Sequence, residues 1–156
     1  MNNFINRSIW AKTAAEIDDF AQRLVEVLCA DEEGNSKPSV RFAVVPDDPQ
    51  SFDACAHRVT IRFELVHAVF EAPLNAGGDS LVGRYNAFVV DKKGDLSGRD
   101  GGFTIFPPKD ILLDDKSHLT LTQAPSPYEK GYLRDIIART VLDVVQASLP
   151  KIGNRA

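Results

Sequence analysis

Three histidines, two cysteines and a scattering of arginines are the side chains in this sequence with the most chemistry to offer. Cys55-Ala56-His57 sets a thiol and an imidazole two residues apart, hence on one side of an extended segment. Such a pair could be a nucleophile with its base, or half of a zinc site. Cys29, His67 and His118 each stand alone, so no second pair completes a metal site, and no third group orients His57. Packing is therefore the better account of Cys55, and no metal ligands are expected.

His67 interrupts the apolar row Val59, Ile61, Phe63, Leu65 and Val69. Buried in that row, it needs a hydrogen-bond partner, and Tyr85 or a backbone carbonyl would serve. The other reading makes His67 and Tyr85 polar groups at the base of a pocket between sheet and helices, with the imidazole tuned for acid–base work. They would then be the catalytic candidates of an enzyme, or the polar contacts of a small-molecule binder.

The opposite row of the same segment begins Arg58, Thr60, Arg62 and Glu64. If residues 72–80 join this strand to the next as a hairpin, one register sets Tyr85 opposite His67 and Arg84 opposite Ala68. With Arg41 from an earlier strand, one outer face would hold Arg41, Arg58, Arg62 and Arg84 among Thr60, Thr104 and Asn86, with Glu64 the main counter-charge. A planar guanidinium fork suits carboxylates or phosphates, so this face is the candidate surface for a protein partner bearing acidic groups. The plainer account is a solvated face whose arginine stems cover apolar neighbours. Farther along, Val66, Ala68, Phe70 and Val82 turn the same face apolar. That patch calls for a bulge, a covering element or a partner, and it could close a homodimer.

Other motifs are missing. There is no phosphate-binding glycine loop, no H-E-x-x-H and no G-x-S-x-G. Asp91 to Gly102 is as rich in Asp and Gly as calcium loops are, but Leu96 stands where the invariant glycine of an EF-hand would be. No cofactor is expected.

The elements that must position these residues are legible from periodicity and capping. Residues 1–12 read as an irregular lead-in. Thr13 and Glu16 form a capping box, and Ile17, Phe20, Ala21, Leu24, Val27 and Leu28 then write one apolar side of a helix reaching Ala30. Strand patterns follow over 40–45, 57–71, 81–91, 103–106 and 119–122, the long second one expected to bend or bulge. Residues 50–56 carry no clear signal, and 111–115 read as either a short helical turn or a loop. A second helix spans Ser126 to Leu149, opened by the capping box Ser126–Glu129 with Pro127 at its first position. Its stripe is Tyr132, Leu133, Ile136, Ile137, Val141, Val144, Val145 and Leu149, and a tail of residues 151–156 follows.

This order predicts an α+β fold: a mostly antiparallel sheet of about five strands, flanked in sequence by N- and C-terminal helices packed on one face. Ile136, Ile137, Val141 and Val144 should then meet Val59, Ile61, Phe63 and Leu65, with the arginines on the far side. The 156 residues, 44% hydrophobic and 26% charged, suit a single domain spanning 1–156. A net charge of −4 argues against nucleic acid as a partner. The longest nearly apolar run, 65–70, is too short to cross a bilayer, and the N-terminus has no secretion signal, so a reduced cytoplasmic setting is expected. The function these features favour is that of a small non-catalytic binding protein, such as an adaptor, inhibitor, immunity or chaperone-like protein. The rivals are the enzyme or small-molecule binder around His67 and Tyr85, and a structural subunit of a larger assembly.

Overall fold

A computed structural model describes residues 3–30, 39–71 and 78–153, with side chains in the first helix from Trp10 onward. The elements in chain order are α1 (Asn3–Cys29), β1 (Arg41–Val45), β2 (Asp48–Ala56), β3 (Val59–Phe70), β4 (Ser80–Val90), β5 (Leu96–Phe106), β6 (Asp110–Leu113), β7 (His118–Thr120) and α2 (Pro127–Ser148). The fold is α+β. The strands form one antiparallel sheet in sequential order, β1 to β7, curved into a half-barrel. Seven strands replace the expected five, because the two segments without a clear pattern, 50–56 and 111–115, contribute strands as well. Among the described residues no helix is long and apolar enough to cross a membrane.

Both helices lie on one face. Helix α1 packs against β1 to β5 and α2 against β2, β3 and β5, and the two touch each other. Residues 3–12, expected to be irregular, are helical. Neither Gly nor Pro falls between Asn3 and Thr13, so nothing stops the helix from extending through the Thr13–Glu16 box. The residues that follow this helix, 31–38, most of the 72–80 connection and the end of the 151–156 tail lie outside the described residues.

Helix α2 begins as its sequence implies. The Glu129 amide donates to Ser126 Oγ at 3.1 Å, and the Ser126 amide donates to Glu129 Oε1 at 3.2 Å. Its stripe of Leu133, Ile136, Ile137, Val141, Val144 and Val145 is buried, whereas Tyr132 is exposed at the helix edge. Those residues share one core with Ile61 and Phe63, and Val59 and Leu65 pack against it, as the sheet-face periodicity requires.

The centre of that core is aromatic. Phe52 stacks on Phe63 with centroids 5.0 Å apart, and Tyr85 stacks on Phe103 at 4.8 Å. Phe52 and Tyr85 meet at 5.4 Å and join the two stacks. Gly83 lies in the same inner row, and a Cβ there would come within 2.6 Å of Ile105 Cγ1 and 2.9 Å of Ile17 Cγ2. Its missing side chain lets α1 approach the sheet.

The long strand β3 has no bulge; its ladder with β4 runs without interruption from Thr60↔Val90 to Phe70↔Ser80. Irregularities occur on either side of it instead. Between β1 and β2 the register jumps from Val45↔Asp48 to Val44↔Phe52. Residues 49–51 therefore leave the ladder, and their polar groups need other partners. Ser51, fully buried, accepts the Leu65 amide on its Oγ at 3.0 Å. The Tyr85 hydroxyl donates to the Gln50 carbonyl at 2.6 Å. Tyr85→Phe keeps the ring stack and leaves that carbonyl without its donor. We expect it to lower unfolding stability by about 1–3 kcal/mol in urea titrations.

The second irregularity pairs Asn86 with Gly102 and Ala87 with Arg99, so Asp100 and Gly101 bulge out of β5. Two glycines with positive φ, Gly101 (111°) and Gly102 (147°), make the bulge possible.

Candidate functional site: the outer sheet face

The face away from the helices carries the arginines, but their arrangement differs from the one the sequence suggests. His57 and Arg58 are not part of a strand. Both have positive φ, 50° and 65°, and they form the two-residue turn between Ala56 and Val59. That is the backbone of a type I′ hairpin, which Asn-Gly usually signals and His-Arg does not. Arg58 is therefore exposed at the rim of the sheet rather than on its face.

Arg62 lies on the face opposite Asp53 of β2. Its Nε donates to Asp53 Oδ1 at 2.8 Å and its Nη2 to Oδ2 at 3.1 Å, with both side chains three-quarters or more buried. The hydrogen bonds to Asp53, the largest influence, hold the Arg62 guanidinium above its ordinary pKa. Arg84 makes the matching arrangement one strand over. Nη1 and Nη2 donate to the two oxygens of Asp114 at 2.6 and 2.9 Å, and Nη1 also reaches Thr104 Oγ1 at 3.3 Å. The expected main counter-charge, Glu64, is thus replaced by Asp53 and Asp114. Both forks are engaged within the protein, which leaves Arg41 and Arg58 as the members of the set without an ion pair among the described residues.

These two are close in register. Arg41 is opposite Cys55 in β2, just before the His57-Arg58 turn, so both belong to one end of the sheet. The hairpin turn with Lys92 and Lys93 belongs to that end too, because Val90 pairs with Thr60. The other end is apolar. Val66 is 42% and Phe70 43% exposed, Ala68 is half-buried, and Val82, opposite Ala68, is buried. The Phe70 ring meets Phe106 edge-on with centroids 5.2 Å apart, which extends the expected patch onto β5. The face thus has a cationic end, a centre of internally paired charges and an apolar end.

His67 and Tyr85 are on the inner face, but they are not a pair. The register is shifted by one step of two residues from the expected one. Tyr85 is opposite Leu65, His67 is opposite Gly83, and Arg84 is opposite Val66 rather than Ala68. Tyr85 is completely buried against Phe52 and Phe103, and burial, then the charges of Asp48 and Asp18, push its phenol well above the usual range. The His67 ring sits at the sheet margin, its side chain 36% exposed, with Nε2 2.9 Å from Asp18 Oδ1 of α1. Among the described residues, the space around Tyr85 between sheet and helices is filled by side chains.

The cysteines are apart as well. Cys55 faces outward between Arg41 and Thr60 in register and makes no hydrogen bond to His57. Burial, with a smaller contribution from Asp53, pushes the Cys29 thiol up to about 11, so it is protonated at neutral pH. Among the described residues, no group of three or more His, Cys, Asp and Glu is placed to hold a metal ion.

Asp53 and Asp114 are the site residues that sequence patterning missed, and a signal for Asp53 was present. Ser51 to Ala56 alternates, with Phe52, Ala54 and Ala56 on one side and Ser51, Asp53 and Cys55 on the other. Read as a strand beside β3, that pattern brings Asp53 to the arginine face. Compared with models of protein families, with curated proteins and with solved structures, the chain matches none.

Proposed function

We propose that this chain is a non-catalytic binding protein, of the adaptor, inhibitor, immunity or chaperone-like kind, and that it engages a protein partner with the outer face of its sheet. The observation that carries this reading is an asymmetry. Two helices cover one face apart from its margins at Val44 and Val69, while the other has no described element over it and exposes Val66 and Phe70, on one row of β3, at 42% and 43%. Apolar side chains exposed together on a sheet face are a common mark of a contact surface. Phe70 and Val66 would anchor the contact, and acidic groups of the partner would meet Arg41 and Arg58. Arg62 and Arg84 would stiffen the surface from within, since an acidic group could engage them only in competition with Asp53 and Asp114.

The test uses two variants with exposed substitutions. Val66→Glu with Phe70→Glu should weaken a partner recovered by affinity purification by roughly thirtyfold or more, as loss of a central anchor does. Gln146→Glu on α2, away from the face, should leave binding unchanged. Equal binding by all three proteins would show a merely solvated face. If the wild-type chain is instead a dimer in solution that the glutamates dissociate, the patch joins two copies of this chain and the partner reading fails.

A further inference from the structure

A second surface stands apart from the outer face. Strand β1 is the first of the sheet and, among the described residues, pairs on one side only, with β2, so its other edge presents backbone donors and acceptors that no described strand meets. Natural sheets usually protect such an edge with lysine, proline or an inward-pointing charge. In β1, Arg41 supplies one charge and Pro46 follows the strand, which leaves Phe42-Ala43-Val44-Val45 as the stretch of edge without such protection. Val44 belongs to the inner row, opposite Phe52, yet it is 60% exposed. Beside the edge runs a groove of about 400 Å³ between α1 and the β1–β2 hairpin, with Val25, Val44, Val45 and Pro49 among its lining. Its rim is acidic, with Glu26 on the helix side and Asp47 and Asp48 on the hairpin side. No cation among the described residues pairs with Glu26 or Asp47.

We propose that this edge and groove accept an extended segment of a partner protein as an added strand, with apolar side chains set into the groove and Lys or Arg flanking them against Glu26, Asp47 and Asp48. Strand addition draws affinity from main-chain hydrogen bonds, and specificity from pockets that take alternate side chains. An antiparallel edge supplies the first, and the groove along one side of β1 supplies the second. The charge of the rim selects the occupant. A second copy of this chain, net charge −4, would bring its own Glu26, Asp47 and Asp48 toward the same groove, whereas a basic segment meets opposite charge. This proposal does not depend on the outer face being a binding surface.

The probe is a capped peptide of alternating valine and threonine with lysine at both ends, titrated into the full chain and followed by amide NMR. Binding should perturb the amides of residues 41–45 and slow their hydrogen exchange. A peptide with glutamate in place of both lysines, or the Glu26→Lys protein, should bind roughly five- to tenfold more weakly. Val44→Lys, a substitution at an exposed position, should abolish binding while the thermal transition is retained. The proposal is overturned if neither peptide binds, if both bind equally, or if the perturbed amides lie elsewhere. It is also overturned if β1 is already protected in a dimer of the chain without peptide, which would assign the edge to a second copy.

Discussion

Phe52→Ala should lower the unfolding free energy by roughly 3–5 kcal/mol, among the largest losses available to a single side chain in this core. Phe52 is fully buried, and its ring contacts Phe42, Phe63, Tyr85 and Phe103 at centroid distances of 5.9, 5.0, 5.4 and 6.2 Å. It joins the β2 side of the sheet to β3, β4 and β5, so its removal opens a cavity whose walls belong to four strands. Collapse of such a cavity would require the strands to move together, which the ladder resists. Domains of this size have about 5–15 kcal/mol of stability, so the variant would keep little reserve. Guanidinium titration with near-ultraviolet circular dichroism measures both the loss and the disturbed aromatic stack. A change below about 1 kcal/mol would mean that the aromatic cluster does not anchor the sheet.

The second large effect belongs to a residue with no side chain. Gly102→Ala should cost roughly 2–4 kcal/mol, combining an unfavourable backbone conformation with a steric conflict. At φ 147° the residue is in a region that L side chains rarely adopt. A Cβ there would overlap the Tyr85 carbonyl oxygen and come within 3.0 Å of Arg84 Nη2. The ladder between β4 and β5 must open, or Arg84 must shift on Asp114, so the substitution should also disturb the outer face. Gly94→Ala provides the comparison. Its φ is 86°, but nothing lies within 4 Å of the added carbon, so only the backbone term of about 1 kcal/mol remains. Equal effects of the two substitutions in thermal melts would contradict the close approach at Gly102.

Helices and faces were the parts of the fold that the sequence made legible, because they rest on periodicity. The spacing of Leu133, Ile136, Ile137, Val141 and Val144 marks a buried stripe, and Ile61 and Phe63 fall on the row that meets it. Register and turns were less legible, since each depends on local conformations that the residue types do not announce. His57-Arg58 adopts a left-handed pair of conformations without Asn or Gly, so the strand pattern starts too early and puts Arg58 on the outer face with Arg62. The displacement of Tyr85 from His67 to Leu65 is a register difference of two residues, which keeps every side chain on its face and so leaves no mark in the alternation. Tyr85 changes role as a result. Its hydroxyl suggested chemistry in company with His67, and in the folded chain it serves the Gln50 carbonyl that the β1–β2 irregularity turns away from the ladder.

The arginines illustrate the same limit for the candidate site. Four residues of one type suggested a surface of open guanidinium forks, and the folded chain satisfies two of them with Asp53 and Asp114. Asp53 belongs to a segment whose pattern is short and broken by small residues, and Asp114 to one that suits a helical turn or a loop as well as a strand end. Each pairing depends on strands meeting across the sheet, so neither could be assigned before those strands were. Shape therefore counts for more than charge in the proposed contact: Val66 and Phe70 are 42% and 43% exposed, against 25% and 26% for the side chains of Arg62 and Arg84.

The most direct measurement of that claim is a methyl NMR footprint of the chain titrated with its affinity-purified partner. The outward methyls of Val66, Val82, Val90, Leu96 and Leu112 should shift or broaden, while those of Ile137, Val141 and Val145 beneath α2 should stay in place. Perturbations centred on the exposed sides of α1 and α2, with the outer-face methyls unmoved, would contradict the outer sheet face as the binding surface.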